Sequence, residues 1–283
     1  MENHQQGRED LAAANREFWN THGSKIFGSQ WMLNFAKKIG DALSENVEWM
    51  GIRRRSESGP PVKLLDYACG YGMVSSALLG QFDVIKGIDI SDASVAAYNE
   101  MAQQSGYPPG LMVAVQGSIP AISTNTVLAT EEFFDFDVIA ISMALHHMGD
   151  QVGVISGLYE RLRSGGVLVV VDLAPEAHIH DHANDHSHGH TDCAGGSHSH
   201  DHSHDHSHSH SHGAVSSHHT ISKHGGFEPE DMKALMAEAG FTPESVDYKL
   251  YPDTTPNVSN VPQHGTCQTS KFKPFFIAKG VKQ

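Results

Sequence analysis

At 283 residues with 39% hydrophobic composition, the chain is long enough for one large domain or two small ones and can bury a core. Its 19 basic residues against 33 acidic ones leave a formal charge of −14, which repels nucleic acid unless a local basic patch offsets it. Only Arg53-Arg54-Arg55 and Lys37-Lys38 approach such a patch, so the balance argues against a nucleic-acid partner and for a small-molecule or protein substrate.

In chain order, the first ten residues read as a frayed tail. "LAAANREFWN" and "SQWMLNFAKKIGDAL" then read as helices; in the second, Trp31, Phe35, Ile39 and Leu43 recur every four residues and leave Lys37, Lys38 and Asp41 to solvent. "RRRSESGPP" is a loop, because Gly-Pro-Pro cannot continue a helix. Beyond it the period changes. "VKLLDYA", "VIKGIDI", "LMVAVQG", "FDVIAIS" and "VLVVVDL" are short, β-branched apolar runs that predict parallel strands covered on both faces. Between them lie the helical stretches "MVSSALLGQF", "SDASVAAYNEMAQQSG" (Ser91 or Asp92 as cap) and "GDQVGVISGLYERLR", the last stopped by "SGG". "GGFEPEDMKALMAEAGF" predicts a further helix, with Pro229 in its first turn and Gly240 at its stop. Extended segments "SVDYKLYP" and "KPFFIAKGV" follow. Strands alternating with helices give an α/β fold, an open doubly wound sheet ending in an antiparallel pair.

Between His178 and His224 the composition breaks. Seventeen of the 22 histidines fall there, and the eight from His198 to His212 (His198, His200, His202, His204, His206, His208, His210 and His212) alternate with Ser or Asp. So little apolar surface cannot offset ordering entropy, so the segment is expected to be disordered without metal. Closely spaced imidazoles suit zinc, nickel or copper. They offer many interchangeable sites and fix none, whereas a catalytic zinc is held by about three ligands in fixed geometry. Two readings stay open: a metal-binding loop that does no catalysis, or a solvated expansion.

Cys69, Cys193 and Cys267 form no disulfide framework and suit a reducing compartment. No signal peptide, basic leader or membrane-spanning run is recognisable, so a soluble cytoplasmic protein is expected, with no membrane partner.

The sharpest site signal is "LLDYACGYG". A strand ends in Asp66, and four residues later Gly70 and Gly72 flank one residue at the entry to a helix. A nicotinamide fingerprint wants a third glycine where Ser75 stands; a plain tight turn is the simpler alternative. Asp89 ends the second strand 17 positions after Gly72, where a carboxylate can take both hydroxyls of a ribose. Asp66, Gly70, Gly72, Asp89, Ser118 and Ser142 all fall at carboxyl ends of strands, where open α/β sheets bind ligands.

"LLDYACGYGMVSSAL", "VIKGIDISDASVAAYNEMA", "FDVIAISMALHHM" and "LRSGGVLVVVDL", in that order, resemble the successive motifs of class I S-adenosylmethionine-dependent methyltransferases, above all the small-molecule branch that includes the ubiquinone- and menaquinone-type enzymes. The likeness is close over residues 60–175 and looser over 225–280. It implies a Rossmann-like seven-stranded sheet, mostly parallel with an antiparallel last strand, and an N-terminal helical lid. The lid would take residues 1–60, the core 61–177 and 225–283, and the His-rich insertion 178–224.

By the same resemblance the Asp66–Gly72 loop, with Ala68, Gly70 and Gly72, faces the methionine end of S-adenosylmethionine. Asp89 would hold the ribose, with Ile90 against the adenine. In "QGS", Gly117 and Ser118 stand near the adenine amine, Ser118 replacing the usual acidic residue. Ser142 lies at the fourth strand end, and Cys69 is a small loop residue with no redox role. "SMALHHM" would lie beside the methyl group. It lacks the Asn or Asp followed by two prolines of the amide- and adenine-methylating relatives, which disfavours nucleic-acid and protein-glutamine substrates. His146 and His147 are candidate general bases, because imidazole titrates near neutrality; packing at the strand end is the other reading. Phe18, Trp19 and His22 are candidate lining of the acceptor pocket, or simply core packing. The expected partners are a small-molecule methyl acceptor and transition-metal ions. Two other functions compete: a metal buffer or chaperone on this scaffold, and a cofactor-binding regulator without activity.

Overall fold

In the computed structural model, which describes residues 2–53, 55, 59–119, 126–175, 220–252 and 273–283, the short apolar runs become the strands of one sheet. They are β1 (Lys63–Tyr67), β2 (Val84–Asp89), β3 (Met112–Gln116), β4 (Phe136–Ser142), β5 (Leu162–Leu173), β6 (Val246–Tyr251) and β7 (Phe275–Val281). Among the described residues the sheet has seven strands in the order β3-β2-β1-β4-β5-β7-β6. Pairing is parallel from β3 through β5, and β7 runs antiparallel to both β5 and β6. This is the mostly parallel, Rossmann-like sheet expected, with its last strand reversed.

The helices are α1 (Glu2–Phe27), α2 (Gln30–Glu45), α3 (Val47–Met50), α4 (Met73–Ala77), α5 (Asp92–Gln104), α6 (Gln151–Arg161) and α7 (Pro229–Glu238). Strand alternation sorts the core into two layers. Val138 and Ala140 of β4, with Val167 and Val169 of β5, pack with Phe35, Ile39 and Leu43 of α2, Val74 of α4 and Tyr98 of α5. Their neighbours Ile139, Ile141, Leu168 and Val170 face the other way, onto Ile155 and Leu158 of α6 and Met232 and Met236 of α7. Both faces are covered, which is why these strands read as unbroken apolar runs. Each fully buried aliphatic or aromatic side chain contributes about 1.5–3 kcal/mol.

Several elements differ from the sequence reading. The first ten residues are not a tail: α1 is helical from Glu2, and Arg8 is anchored to Asp150 at 2.7 Å. Helix α4 stops at Ala77, where Ser44 of α2 donates to the freed carbonyl at 3.0 Å and Gly80, at φ +92°, turns the chain away. Strand β5 starts at Leu162, because "RSGG" bulges out opposite Asp137 and pairing with β4 resumes at Val167. Trp31 remains 40% exposed and stacks on the buried Phe35. After the insertion the described residues begin again at the buried Thr220. The basic run is occupied by ion pairs, Arg53 with Asp137 at 3.0 Å and Arg55 with Asp83 at 2.7 Å.

Contacts divide the chain into residues 1–176 with 217–283, and residues 177–216. The second unit and the whole 198–212 histidine run lie outside the described residues. No helix among the described residues is long and apolar enough to cross a membrane.

Candidate active site

The strand order reverses between β1 and β4, so a crevice opens at their carboxyl ends. Both strands end in a non-glycine residue forced into the left-handed region, Ala68 after β1 and Met143 after β4, each at φ +54°. Such a residue costs about 1–3 kcal/mol and persists where the surroundings over-determine it. Ser142, the last residue of β4, has a buried Oγ with no hydrogen-bond partner among the described residues.

The two strand-end carboxylates do different work. Asp66 faces inward: its Oδ2 accepts from the backbone N–H of Ser75 at 3.1 Å and from Ser75 Oγ at 2.7 Å, bracing the first turn of α4. Burial pushes the Asp66 carboxyl up to about 7, the Ser75 bonds opposing and the nearby Asp89 adding to the rise. Asp89 joins two loops, accepting from Gly70 N at 2.8 Å on one oxygen and from Ser91 N at 2.9 Å on the other. Burial raises its pKa, against those backbone bonds. A carboxylate has about four acceptor sites, so Asp89 keeps capacity for a ribose diol.

The glycines also divide. A Cβ on Gly72 would stand 2.1 Å from Met101 Cε and 3.1 Å from Tyr98, so this glycine lets α5 pack close. A Cβ on Gly70 would instead meet Phe27 of α1 at 3.2 Å, so Gly70 faces the helix that lies over the crevice. On the far side, Gly117 N donates to Asp89 O at 2.9 Å and Gln116 Nε2 to Ile90 O at 3.2 Å, which sets Ile90, Gly117 and Ser118 beside Asp89.

The turn after β4 carries the histidines. His146 is 6% exposed, and its Nδ1 lies 2.6 Å from Oδ1 of Asp172 near the end of β5. The other Asp172 oxygen accepts from the His146 backbone N–H at 3.2 Å, and Leu173 N donates to Oδ1 at 2.7 Å. His147 sets its Nδ1 2.7 Å from the Thr220 carbonyl, and the two rings are 4.2 Å apart. Burial holds the His147 imidazole down to about 4, helped by His146 and opposed by the Thr220 bond and the Asp172 charge.

Helix α1 runs across this edge. Trp19 meets His147 edge-on at 5.7 Å and stacks on Phe27, which stacks in turn on Tyr71 at 4.6 Å. Asn15 Nδ2 donates to the Thr220 carbonyl at 3.1 Å and lies 3.4 Å from that of His147. Asn20 Oδ1 accepts from Ser91 Oγ at 2.7 Å, and Arg16 pairs with Asp92 at 2.7 Å. Of the three expected lining residues, Trp19 reaches the histidine turn, while Phe18 is buried and packs against Trp19 and His22. Among the described residues no group of three or more His, Cys, Asp or Glu side chains is placed to hold a metal.

Sequence reading missed Asp172, Asn15, Asn20, Phe27, Tyr71 and Thr220. Asp172 carried a usable signal, an acidic residue near the end of an apolar strand, as Asp66 and Asp89 are. The others touch the site only through the path of α1 and the return of the insertion.

Residues 35–246 match the methyltransferase domain family. The chain belongs to that family. It is 34% identical over 113 residues to an uncharacterized methyltransferase of Schizosaccharomyces pombe, covering 40% of this chain and 39% of the relative. It is 29% identical over 145 residues to a ubiquinone biosynthesis O-methyltransferase of Pseudomonas putida, covering 50% of this chain and 57% of the relative. The chain thus spans less than two thirds of these relatives' lengths. Among solved structures, the magnesium protoporphyrin IX methyltransferase of Synechocystis with bound SAH superposes with TM-score 0.54 at 14% identity, over 96% of this chain and 99% of that one. A SAM-dependent methyltransferase of Archaeoglobus fulgidus gives 0.51 at 12% identity, over 94% and 100%. At these identities the superpositions speak for the fold.

Proposed function

We propose that this member of the methyltransferase domain family transfers a methyl group from S-adenosylmethionine to a small-molecule acceptor held between α1 and the His146–His147 turn. The observation that carries this reading is the reversal of strand order between β1 and β4, with Asp89 at the end of the neighbouring β2 fastening the Gly70 loop. Its chemistry fits the cofactor: a carboxylate for a ribose diol, and left-handed turns at the ends of β1 and β4. When bound, S-adenosylmethionine supplies an electrophilic methyl group on a sulfonium. The chain's own part is to align the acceptor with that methyl and exclude water, which can supply most of the acceleration. Trp19, Phe27 and Asn15 of α1 would do the excluding, and a histidine of the turn would receive any proton the acceptor loses. The relatives named for ubiquinone biosynthesis O-methylation support an acceptor of small, hydroxylated type.

Calorimetric titration tests the reading. S-adenosylmethionine and its demethylated product should bind in the micromolar range, roughly 7–8 kcal/mol. Asp89→Ala should weaken both about tenfold or more, the loss of hydrogen bonds to a charged group being about 1.5–3 kcal/mol. Tight NAD binding with no response to S-adenosylmethionine would overturn it. For the histidine run we infer binding of zinc, nickel or copper without a catalytic role, supported by its alternating imidazoles. The free, buried Cys69 supports a reducing, cytoplasmic setting.

A further inference from the structure

The turn after β4 presents two imidazoles, and their surroundings separate them. Both place Nδ1 against an oxygen that can only accept, so each ring carries a proton on that nitrogen. The oxygens differ in kind. That of His147 is the neutral Thr220 carbonyl, whose hydrogen bond favours a positive charge on the ring less than burial opposes it. That of His146 belongs to a carboxylate already fixed by two backbone N–H groups, its own side chain fully buried in β5. Other charge is directed elsewhere: Lys223, whose backbone N–H caps the His146 carbonyl, pairs its ammonium with Asp231 at 2.9 Å. The segments that grip the turn contribute neutral groups, Asn15 and Trp19 from α1 and Ser222 Oγ, which donates to the His146 and Met148 carbonyls at 3.1 and 2.6 Å.

We propose that Asp172 is a positioning residue that holds His146 in the Nδ1-protonated form with Nε2 as proton acceptor, and that the acceptor substrate is accordingly a hydroxyl or thiol compound. The inference rests on the methyl-transfer reading above. In the step it describes, a lone pair of the acceptor oxygen or sulfur forms a bond to the methyl carbon. The bond from that carbon to the sulfonium sulfur breaks, its electron pair staying on sulfur to give the neutral thioether. The acceptor's proton moves to His146 Nε2, and the imidazolium that results is balanced by the Asp172 carboxylate. His147 sets the same ring nitrogen against a backbone carbonyl in place of a carboxylate, and burial holds its ring neutral.

Two measurements decide it. In protein labelled with ¹⁵N-histidine, long-range proton–nitrogen spectra should find His146 protonated at Nδ1 and bare at Nε2, the signal being assigned by its loss in His146→Gln. In Asp172→Asn, which keeps size and shape but can donate, the proton should move to Nε2. An unchanged proton position in Asp172→Asn, or a bare Nδ1 in the wild type, overturns the positioning role. With substituted phenols and thiophenols as probe acceptors, Asp172→Asn and His146→Gln should each lower kcat about a hundredfold or more. Affinity for S-adenosylmethionine should stay within about twofold, and the loss should shrink for the most acidic phenols, which attack as preformed anions. Wild-type kcat in Asp172→Asn, or methylation confined to carbon acceptors, overturns the proposal. Failure of the wild type to bind S-adenosylmethionine defeats the underlying reading instead, and the proton position of His146 still decides what Asp172 does. Should Asp172→Asn fail to fold, the wild-type spectrum and His146→Gln decide both points.

Discussion

Asp66 and Asp89 lie at the ends of adjacent strands, yet their partners differ: Asp89 fastens two loops through backbone N–H groups, whereas Asp66 bonds to a helix. Asp66 accepts from Ser75 in the first turn of α4, and burial lifts its pKa from 3.8 to about 7. The sign of the consequence follows. The folded protein keeps a proton that the unfolded chain releases above about pH 4, so stability from this group is present at low pH and lost as pH rises towards 7. Asp66→Asn keeps an oxygen for Ser75 and removes the ionisation. Thermal unfolding at pH 5, 6, 7 and 8 should therefore show the wild type losing ground to Asp66→Asn across that range, and parallel curves would refute it. In the sequence Asp66 and Asp89 look alike, each closing an apolar run. What separates them is Ser75, nine residues on and brought underneath by a tight turn, which no local pattern reveals. Gly72 is similar: its place in the loop was legible, but its contact with Met101 depends on where α5 packs.

Among the elements, α1 stands apart from the architecture it covers. Neither core layer includes a residue of α1, although Phe18 is 4% exposed. Its grip on the rest is by ion pairs, by Asn15 and Asn20, and by the ring series Trp19, Phe27 and Tyr71. Exposed ion pairs contribute at most about 1 kcal/mol each and the burial of Phe18 about 1.5–3 kcal/mol. Removal of residues 1–28 should therefore lower stability by a few kcal/mol and leave one cooperative unfolding transition, followed by calorimetry. Methyl transfer should fall at least tenfold, because the crevice loses its cover. A truncated chain that melts without cooperativity would make α1 part of the core. The strands were legible because a buried parallel strand leaves a continuous apolar run. The boundaries of α1, α4 and β5 were not. They are set by distant partners, Asp150 for the start of α1, Ser44 for the end of α4 and Asp137 for the bulge in β5.

For the molecule as a whole, the question is how a stretch so unlike the core joins it. The described residues on either side of that stretch lie at the carboxyl edge of the sheet. β5 delivers Asp172 and ends at Leu173, and the chain returns at Thr220, whose carbonyl meets His147 and Asn15. Ser222 and Lys223 then donate their backbone N–H groups to the His146 carbonyl at 2.9 and 3.1 Å. The histidine-rich composition could be read from the sequence; that its last few residues brace the histidine turn could not, because Thr-Ile-Ser-Lys carries no motif. Two deletions separate these roles. Removing residues 180–219 takes out 15 of the 22 histidines and spares Thr220. The untagged full chain should be retained on immobilised nickel and bind several equivalents of zinc or copper, fading below about pH 6 as imidazoles protonate. The 180–219 deletion should lose that retention, still bind S-adenosylmethionine, and keep turnover close to that of the parent. Removing residues 180–224 also takes the Thr220 carbonyl from His147 and the Ser222 and Lys223 caps from His146. Cofactor affinity should again survive, since Asp89, Gly70 and Ser142 are untouched, but turnover should drop by about tenfold or more as the turn loses its support. Equal turnover in the two deletions would remove Thr220–Lys223 from the working site, and loss of cofactor binding in the shorter one would make the histidines structural.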